Sequence, residues 1–302
     1  MDSTAALRWS RRDLTSADGA GASPWLHEEV ARRMQERLDF IKLQPAHWIA
    51  WEPFRSGWGT LRQVAARYAK ATWLAVVTQP QELKATERAL QAPWWKLSRW
   101  TRPVTFAATA PDAANSLIAP AQMVWANMLL HQSANPQALI AQWHSALAVD
   151  GFVMFSCLGP DTLRELRTAF AAQGWPPPAH EFTDMHDWGD MLVEAGFAEP
   201  VMDMERITLT YASPHRLLAE LRELGRNFHV QRFAGLRGRR WHAQLLALLQ
   251  SLAQPQEDGR IVLTFEVVYG HALKPQPRVK LQAVSQIDLS DMRAMLRKNP
   301  KF

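Results

Sequence analysis

The stretch HWIAWEPFRSGWGTLRQVAARYAKATWLAVV, residues 47–77, decides the fold class. HWIAW at 47–51 and TWLAVV at 72–77 are short apolar runs of the kind that form buried strands. Between them, Gly57 and Gly59 punctuate the chain, and Leu61 to Ala69 reads as a helix. Strand, glycine turn, helix, strand opens a parallel α/β sheet, because parallel neighbours need a crossover connection. Ligands in such open sheets sit beyond the carboxyl ends of the strands, so Gly57 and Gly59 are candidate ligand-loop positions. An ordinary strand-to-helix turn accounts for a lone G-x-G equally well.

On the amino-terminal side, Leu26, Val30, Met34 and Leu38 recur every four residues. With Glu28 to Arg32 and Glu29 to Arg33 as supporting pairs, they predict an amphipathic helix over Leu26 to Ile41. Residues 1–24 show no sustained period and are expected to be a flexible arm, with ordered structure starting at Trp25. On the carboxyl-terminal side, Ala113 to Val149 contains no Asp, Glu, Lys or Arg and is expected deep in the fold. It holds a central strand, QMVWAN at 122–127, and a helix from Pro136 to Ala148 opened by Asn135. A turn at Asp150-Gly151 leads into the strand FVMFSCL, followed by helices at about 160–172 and 184–195, the second stopped by Gly196. RITLTY at 206–211 and IVLTFEVVYGHA at 261–272 read as strands flanking a leucine- and arginine-rich helical stretch. The expected fold is α/β: a seven-stranded mixed sheet with helices on both faces, its last strand antiparallel. A helical cap at about 214–254 precedes that strand, and a basic tail, 279–302, follows the 25–278 domain.

At 302 residues, 47% of them hydrophobic and 21% charged, the chain fits one enlarged domain and excludes disorder and fibre. The net charge of +5 is a mild basic excess, and no RNA-binding signature accompanies it, so nucleic acid is not an expected partner. A single cysteine, Cys157, permits no internal disulfide and no thiolate metal cluster, which suits a reducing cytoplasm. The segment MDSTAALRWSRRDL lacks an apolar signal core, and no run of about 18 apolar residues is present, so a soluble protein with no membrane partner is expected. His131, His144 and His271 have no paired acid at suggestive spacing and read as structural. Fourteen tryptophans read chiefly as core packing.

FSCLGPDTLRELRTAF at 155–170 and HEFTDMHDWGDMLVEAGFAEPVMDMERITLTY at 180–211 resemble the malonyl-acyl-carrier-protein O-methyltransferases of biotin synthesis. So do WLHEEVARRMQERLDFIKLQPA at 25–46, LRELGRNF at 221–228, RFAGLRGRRW at 232–241 and LTFEVVYGHALKP at 263–275. The resemblance implies the Rossmann-like class I methyltransferase fold, S-adenosylmethionine as donor, and methylation of the free carboxyl of malonyl-acyl carrier protein. It also implies Gly57, Gly59, Val77 and Asn127 as the donor-binding positions, and it leaves the catalytic residues unassigned. In the family's D-x-G-x-G-x-G loop, here Pro53 to Gly59 with Glu52 just before it, only the last two glycines remain. The acid that would accept ribose hydroxyls at the end of the second strand is replaced by Val77. Before the fourth strand, Ala121-Gln122 stands in place of Phe-Asp, while Trp125 and Asn127 keep the family's spacing. These departures favour an alternative function: a catalytically degenerate homologue that binds acyl carrier protein or an enzyme.

A carboxylate is already ionised near neutrality, so its methylation requires no general base. The protein must align the acceptor with the donor and exclude water. Arg232, Arg237 and Arg240 are candidates to bind the malonyl carboxylate or receive the acidic carrier protein; solvated faces of a helical cap explain the same charges.

Overall fold

The computed structural model describes residues 1–10, 24–78, 86, 106–109, 120–233 and 235–277. In chain order the strands are β1 (His47–Trp51), β2 (Thr72–Val76), β3 (Phe106–Thr109), β4 (Ala121–Ala126), β5 (Leu147–Leu158), β6 (Ala198–Tyr211), β7 (Ala253–Gln254) and β8 (Arg260–Leu273). The helices are α1 (Ser3–Ser10), α2 (Trp25–Arg37), α3 (Pro53–Ser56), α4 (Trp58–Arg67), α5 (Pro136–Ala146), α6 (Arg164–Ala172), α7 (Met185–Glu194), α8 (Pro214–Leu224) and α9 (Arg239–Gln250).

Seven strands run β3-β2-β1-β4-β5-β8-β6, and the two-residue β7 adds to β8. The first five are parallel, whereas β8 is antiparallel to both β5 and β6. The seven-stranded mixed sheet expected from the sequence is therefore present, with its last strand inserted antiparallel. Central strands are apolar on both faces because helices cover both. Trp48, Ala50, Met123, Trp125 and Phe152 join one core with α2 and α4. Their alternating neighbours Ile49, Trp51, Val124, Val153 and Phe155 join a second core with α5 and α7. Trp48, Trp125, Trp143 and Trp188 are fully buried, and Trp48 stacks on Trp73 at 5.1 Å.

The last pair between β5 and β8 is Leu158 with Val267, but β6 and β8 stay paired as far as Tyr211 with Ile261. Their ribbon therefore overhangs the carboxyl edge of the sheet, and α8 and α9 are hung between its strands there. Asn135 caps α5 by accepting the Ala138 N–H at 3.0 Å, and Gly196 closes α7 at φ +97°, both as the sequence predicts.

Four details differ from expectation. Ordered structure begins before Trp25: α1 forms at residues 3–10, with Ala6 buried and the Asp2 N–H donated to Phe228 O at 2.6 Å. An eight-residue helix held by tertiary contacts carries little periodic signal. β6 starts at Ala198 rather than Arg206, since an edge strand tolerates the charges and proline of its first half. Asp150, at φ +64°, does not end a strand but is a kink inside β5. Finally, Glu29 pairs with Arg33 as expected, while Glu28 leaves Arg32 and turns toward α4. The basic tail, 279–302, and residues 11–23 of the amino-terminal arm lie outside the described residues. Among the described residues no helix is long and apolar enough to cross a membrane.

Gly270 in β8 sits between Phe155 and Met202, and a Cβ there would come within 2.5 Å of the Phe155 ring. With Phe155 fully buried and unable to retreat, Gly270→Ala is expected to destabilise the fold by about 1–3 kcal/mol, read as a lowered urea midpoint.

Candidate functional site

The carboxyl ends of β4 and β5, helix α2 and the α3 turn are clamped together by one buried amide. Asn127 follows β4, and its Nδ2 donates to His27 O of α2 at 2.9 Å and to Ser56 O at the end of α3. Its Oδ1 accepts the Ser156 hydroxyl of β5 at 2.6 Å, and that hydroxyl oxygen accepts the Met128 N–H at 3.1 Å. An amide so engaged fixes the site's frame.

Gly57 has φ +104°, and a Cβ on it would meet Ala31 and His27 O of α2, each at 3.3 Å. A Cβ on Gly59 would meet Glu28 Oε2 at 3.0 Å. Gly57 is therefore favoured by its backbone and by the approach of α2, whereas a side chain at Gly59 would press on the Glu28 carboxylate; both lie on the α2 side of the loop. Glu28 reaches into the first turn of α4, accepting the Gly59 and Thr60 N–H groups at 2.9 Å each and the Thr60 hydroxyl at 3.0 Å. A carboxylate there satisfies orphan donors and complements the positive end of the helix.

A cavity of about 290 Å³ opens at the ends of β1, β2 and β4, walled by Trp51, Glu52, Arg55, Thr78, Leu129 and Leu139, with Leu7 of α1 at its edge. Glu52 adopts φ +49°, in the left-handed region. Its N–H donates to Val76 O at 2.8 Å, and its Oε1 accepts the Thr78 N–H at 2.9 Å, so the carboxylate lies across the end of β2. Val77, between those partners, is buried.

Further along the carboxyl edge, Gln132 is shared between this cavity and a second of about 120 Å³ lined by His131, His180, Phe182, Leu158 and Arg226. That one in turn shares Leu166, Pro178, Leu221 and Asn227 with a groove of about 260 Å³ between the cap and the sheet. Arg232 and Arg237 line the groove, and Arg237 lies over the rings of Phe233 and Trp241 at 4.3 and 4.1 Å. Arg232 pairs with Asp2 at 2.8 Å, while Arg240 is exposed on the first turn of α9. Of the sequence-predicted positions, the groove brings Arg232 and Arg237 together; Gly57, Gly59 and Asn127 gather around α2, and Val77 stands beside the Glu52 carboxylate. Sequence reasoning singled out neither Glu52 nor Arg226 as a site residue, since which cavity each lines depends on contacts distant in the chain.

Three imidazoles are buried in this region, His131 and His180 in the wall of the second cavity, a narrow passage, and His27 on α2 behind the glycine loop. His27 Nδ1 donates to Arg55 O at 2.7 Å, His131 Nδ1 accepts the Leu158 N–H at 3.3 Å, and His180 Nε2 donates to His131 O at 2.8 Å. Loss of water lowers all three below the usual histidine range, His27 to about 4. They are neutral near pH 7, so the passage is polar but uncharged on that wall. His144, against the Phe197 ring, and half-buried His271 are lowered by the same cause and stand apart from these cavities. Burial pushes the Cys157 thiol up, leaving it a poor nucleophile.

No family model matches the chain. The malonyl-acyl-carrier-protein O-methyltransferase of Gallionella capsiferriformans (strain ES-2) is 41% identical over 279 residues, covering 91% of this chain and 93% of the relative. The protein of that name from Laribacter hongkongensis (strain HLHK9) is 42% identical over 265 residues, covering 85% and 86%. A protein from Bacillus halodurans C-125 assigned as a methyltransferase superposes with a TM-score of 0.53 at 14% identity, covering 82% of this chain and 100% of that one. The YcgJ protein from Bacillus subtilis gives 0.52 at 10%, covering 81% and 99%. At these identities the likeness shows the fold alone, the Rossmann-like class I methyltransferase architecture.

Asn127→Ala takes one partner from each of two buried carbonyls and from the Ser156 hydroxyl, whose oxygen keeps the Met128 N–H, so a loss of about 1–3 kcal/mol is expected in urea unfolding. Depressed imidazoles make stability depend on pH with a definite sign. The unfolded chain binds protons below its histidine value of 6.5 while folded His27 resists until about 4, so stability is present above pH 6.5 and falls as pH drops toward 4. Between pH 7 and 5, His27 alone accounts for about 2 kcal/mol, and urea midpoints across that interval should fall accordingly.

Proposed function

The chain belongs to the malonyl-acyl-carrier-protein O-methyltransferase family, and on that footing we propose that it methylates the free carboxyl of malonyl-acyl carrier protein, with S-adenosylmethionine as donor, in cytoplasmic biotin synthesis. One observation carries this reading beyond membership. The basic groove, the narrow passage and the strand-end cavity form a series through shared walls. Such a series suits an acceptor carried on a long thin arm: the acidic carrier stays at the groove while the acyl end travels inward.

The strand-end cavity fits a nucleoside donor in its chemistry, since it offers an aromatic wall in Trp51, a buried carboxylate in Glu52 and apolar Leu129 and Leu139. When bound, the donor supplies a methyl group on a sulfonium. The passage withholds water through Leu158, Leu163, Phe182 and Phe265, which leaves the acceptor carboxylate poorly solvated and more nucleophilic. Neutral His131 and His180 place no cation against it that would drain that nucleophilicity, while Arg226 at the passage wall is a cation for recognition. No proton moves, because the carboxylate enters ionised. The methyl ester has lost its terminal charge, so enzymes with apolar acyl pockets can take it as a primer.

The test combines purified chain, malonyl-acyl carrier protein and S-adenosylmethionine, with mass spectrometry of the carrier: a gain of one methyl group on the malonyl end is expected. Carrier binding that persists without any methyl transfer would instead identify the degenerate binding module. Because the groove is basic, KM for the carrier substrate should rise with ionic strength above physiological values. Arg237→Glu combined with Arg240→Glu should lower kcat/KM about tenfold or more, chiefly through slower association; normal kinetics in that variant would make these arginines a solvated face.

A further inference from the structure

The family resemblance calls for an acid at the end of the second strand, and the chain has Val77 there. We propose that Glu52, at the end of the first strand, supplies that carboxylate from the neighbouring strand and binds the vicinal hydroxyls of the donor's ribose. This rests on the strand-end cavity being the donor site.

Geometry carries the argument. β1 and β2 are adjacent and parallel, so residues just past their ends lie side by side. Glu52 continues the ladder with its N–H on Val76 O, and its left-handed backbone turns the side chain sideways, across β2 rather than along β1. There Oε1 takes the Thr78 N–H at 2.9 Å, which fixes the carboxylate beside Val77 and in the cavity wall with Trp51 and Thr78. A non-glycine residue at φ +49° costs of order 1 kcal/mol, and a carboxylate only 6% exposed costs more to desolvate. The Arg55 guanidinium offsets part of that cost, and capping one N–H is within the reach of an uncharged side chain. A carboxylate kept here at that cost matches a pair of hydroxyl donors, which one carboxyl group can accept together. Arg55, whose Nε lies 3.9 Å from Glu52 Oε2, lines the same cavity and holds the charge in place before a ligand arrives.

Calorimetric titration with S-adenosylhomocysteine and its 2′-deoxy analogue tests this without turnover. The unaltered protein should bind the analogue about tenfold more weakly. Glu52→Gln keeps an oxygen for the Thr78 N–H, so it should melt near the parent temperature, bind S-adenosylhomocysteine about tenfold more weakly, and distinguish the two ligands less than threefold. Equal affinity of the unaltered protein for both ligands, or undiminished discrimination in Glu52→Gln, overturns the assignment while leaving the donor site standing. Should the glutamine variant not fold, Glu52→Asp, one methylene shorter, is titrated with the same pair, and full discrimination there overturns it as well. If the unaltered protein binds neither ligand, the donor reading fails and this inference falls with it.

Discussion

The carboxyl edge of the sheet depends on a single side-chain amide. Parallel strands end with unsatisfied backbone groups, and the segments that leave them must be held apart far enough to enclose a ligand yet fixed well enough to orient it. Asn127 meets both needs with two donors and one acceptor, tying α2, the α3 turn and β5 to the end of β4. A charged group could not do this, since its partners are two carbonyls and a hydroxyl in a dry environment. An apolar residue would offer none of the three a bond.

Around that clamp, the protein meets with its own carboxylates demands that many ligand loops leave to the ligand. Glu28 occupies the start of α4, where an anion would otherwise be welcome, and Glu52 occupies the end of β2. The first ties the loop to α2 independently of any ligand, and Arg55 sits within α3 without a positive φ, a backbone that does not call for glycine. Preorganisation of this kind lowers the ordering cost that binding must overcome.

How much of this was legible in the sequence follows from which contacts are local. HWIAW, TWLAVV, QMVWAN and FVMFSCL are each buried on both faces, and an unbroken apolar run is the direct signature of that environment. The first half of β6 is an edge strand with one face wet, so its glutamates and aspartate masked it. Gly57 and Gly59 were visible as a demand for small residues, but the cause of the demand, α2 pressing from behind, lies about 30 residues upstream. Glu28 read as an intrahelical partner because helical spacing is all that a linear string displays. Glu52 was harder still: its significance comes from the strand beside it, reached only after α4 has carried the chain back. Asn127 stood out by position, whereas its clamping role needs residues 27, 56 and 156 at once.

The first helix gives the strand-end cavity a boundary unlike its others. Trp51, Glu52 and Leu129 belong to a sheet edge that cannot move without global unfolding. Leu7 belongs to an eight-residue helix whose hold includes buried Ala6, one backbone bond from Asp2 to Phe228 and the solvent-accessible ion pair from Asp2 to Arg232. A solvent-screened pair of this kind contributes little, and so short a helix contributes little by itself. Local opening of this wall therefore lies at the low end of the molecule's free-energy scale. Leu7 at the cavity edge and Arg232 in the groove wall are thereby joined through Asp2, so the same short helix borders the innermost space and is held from the outermost one.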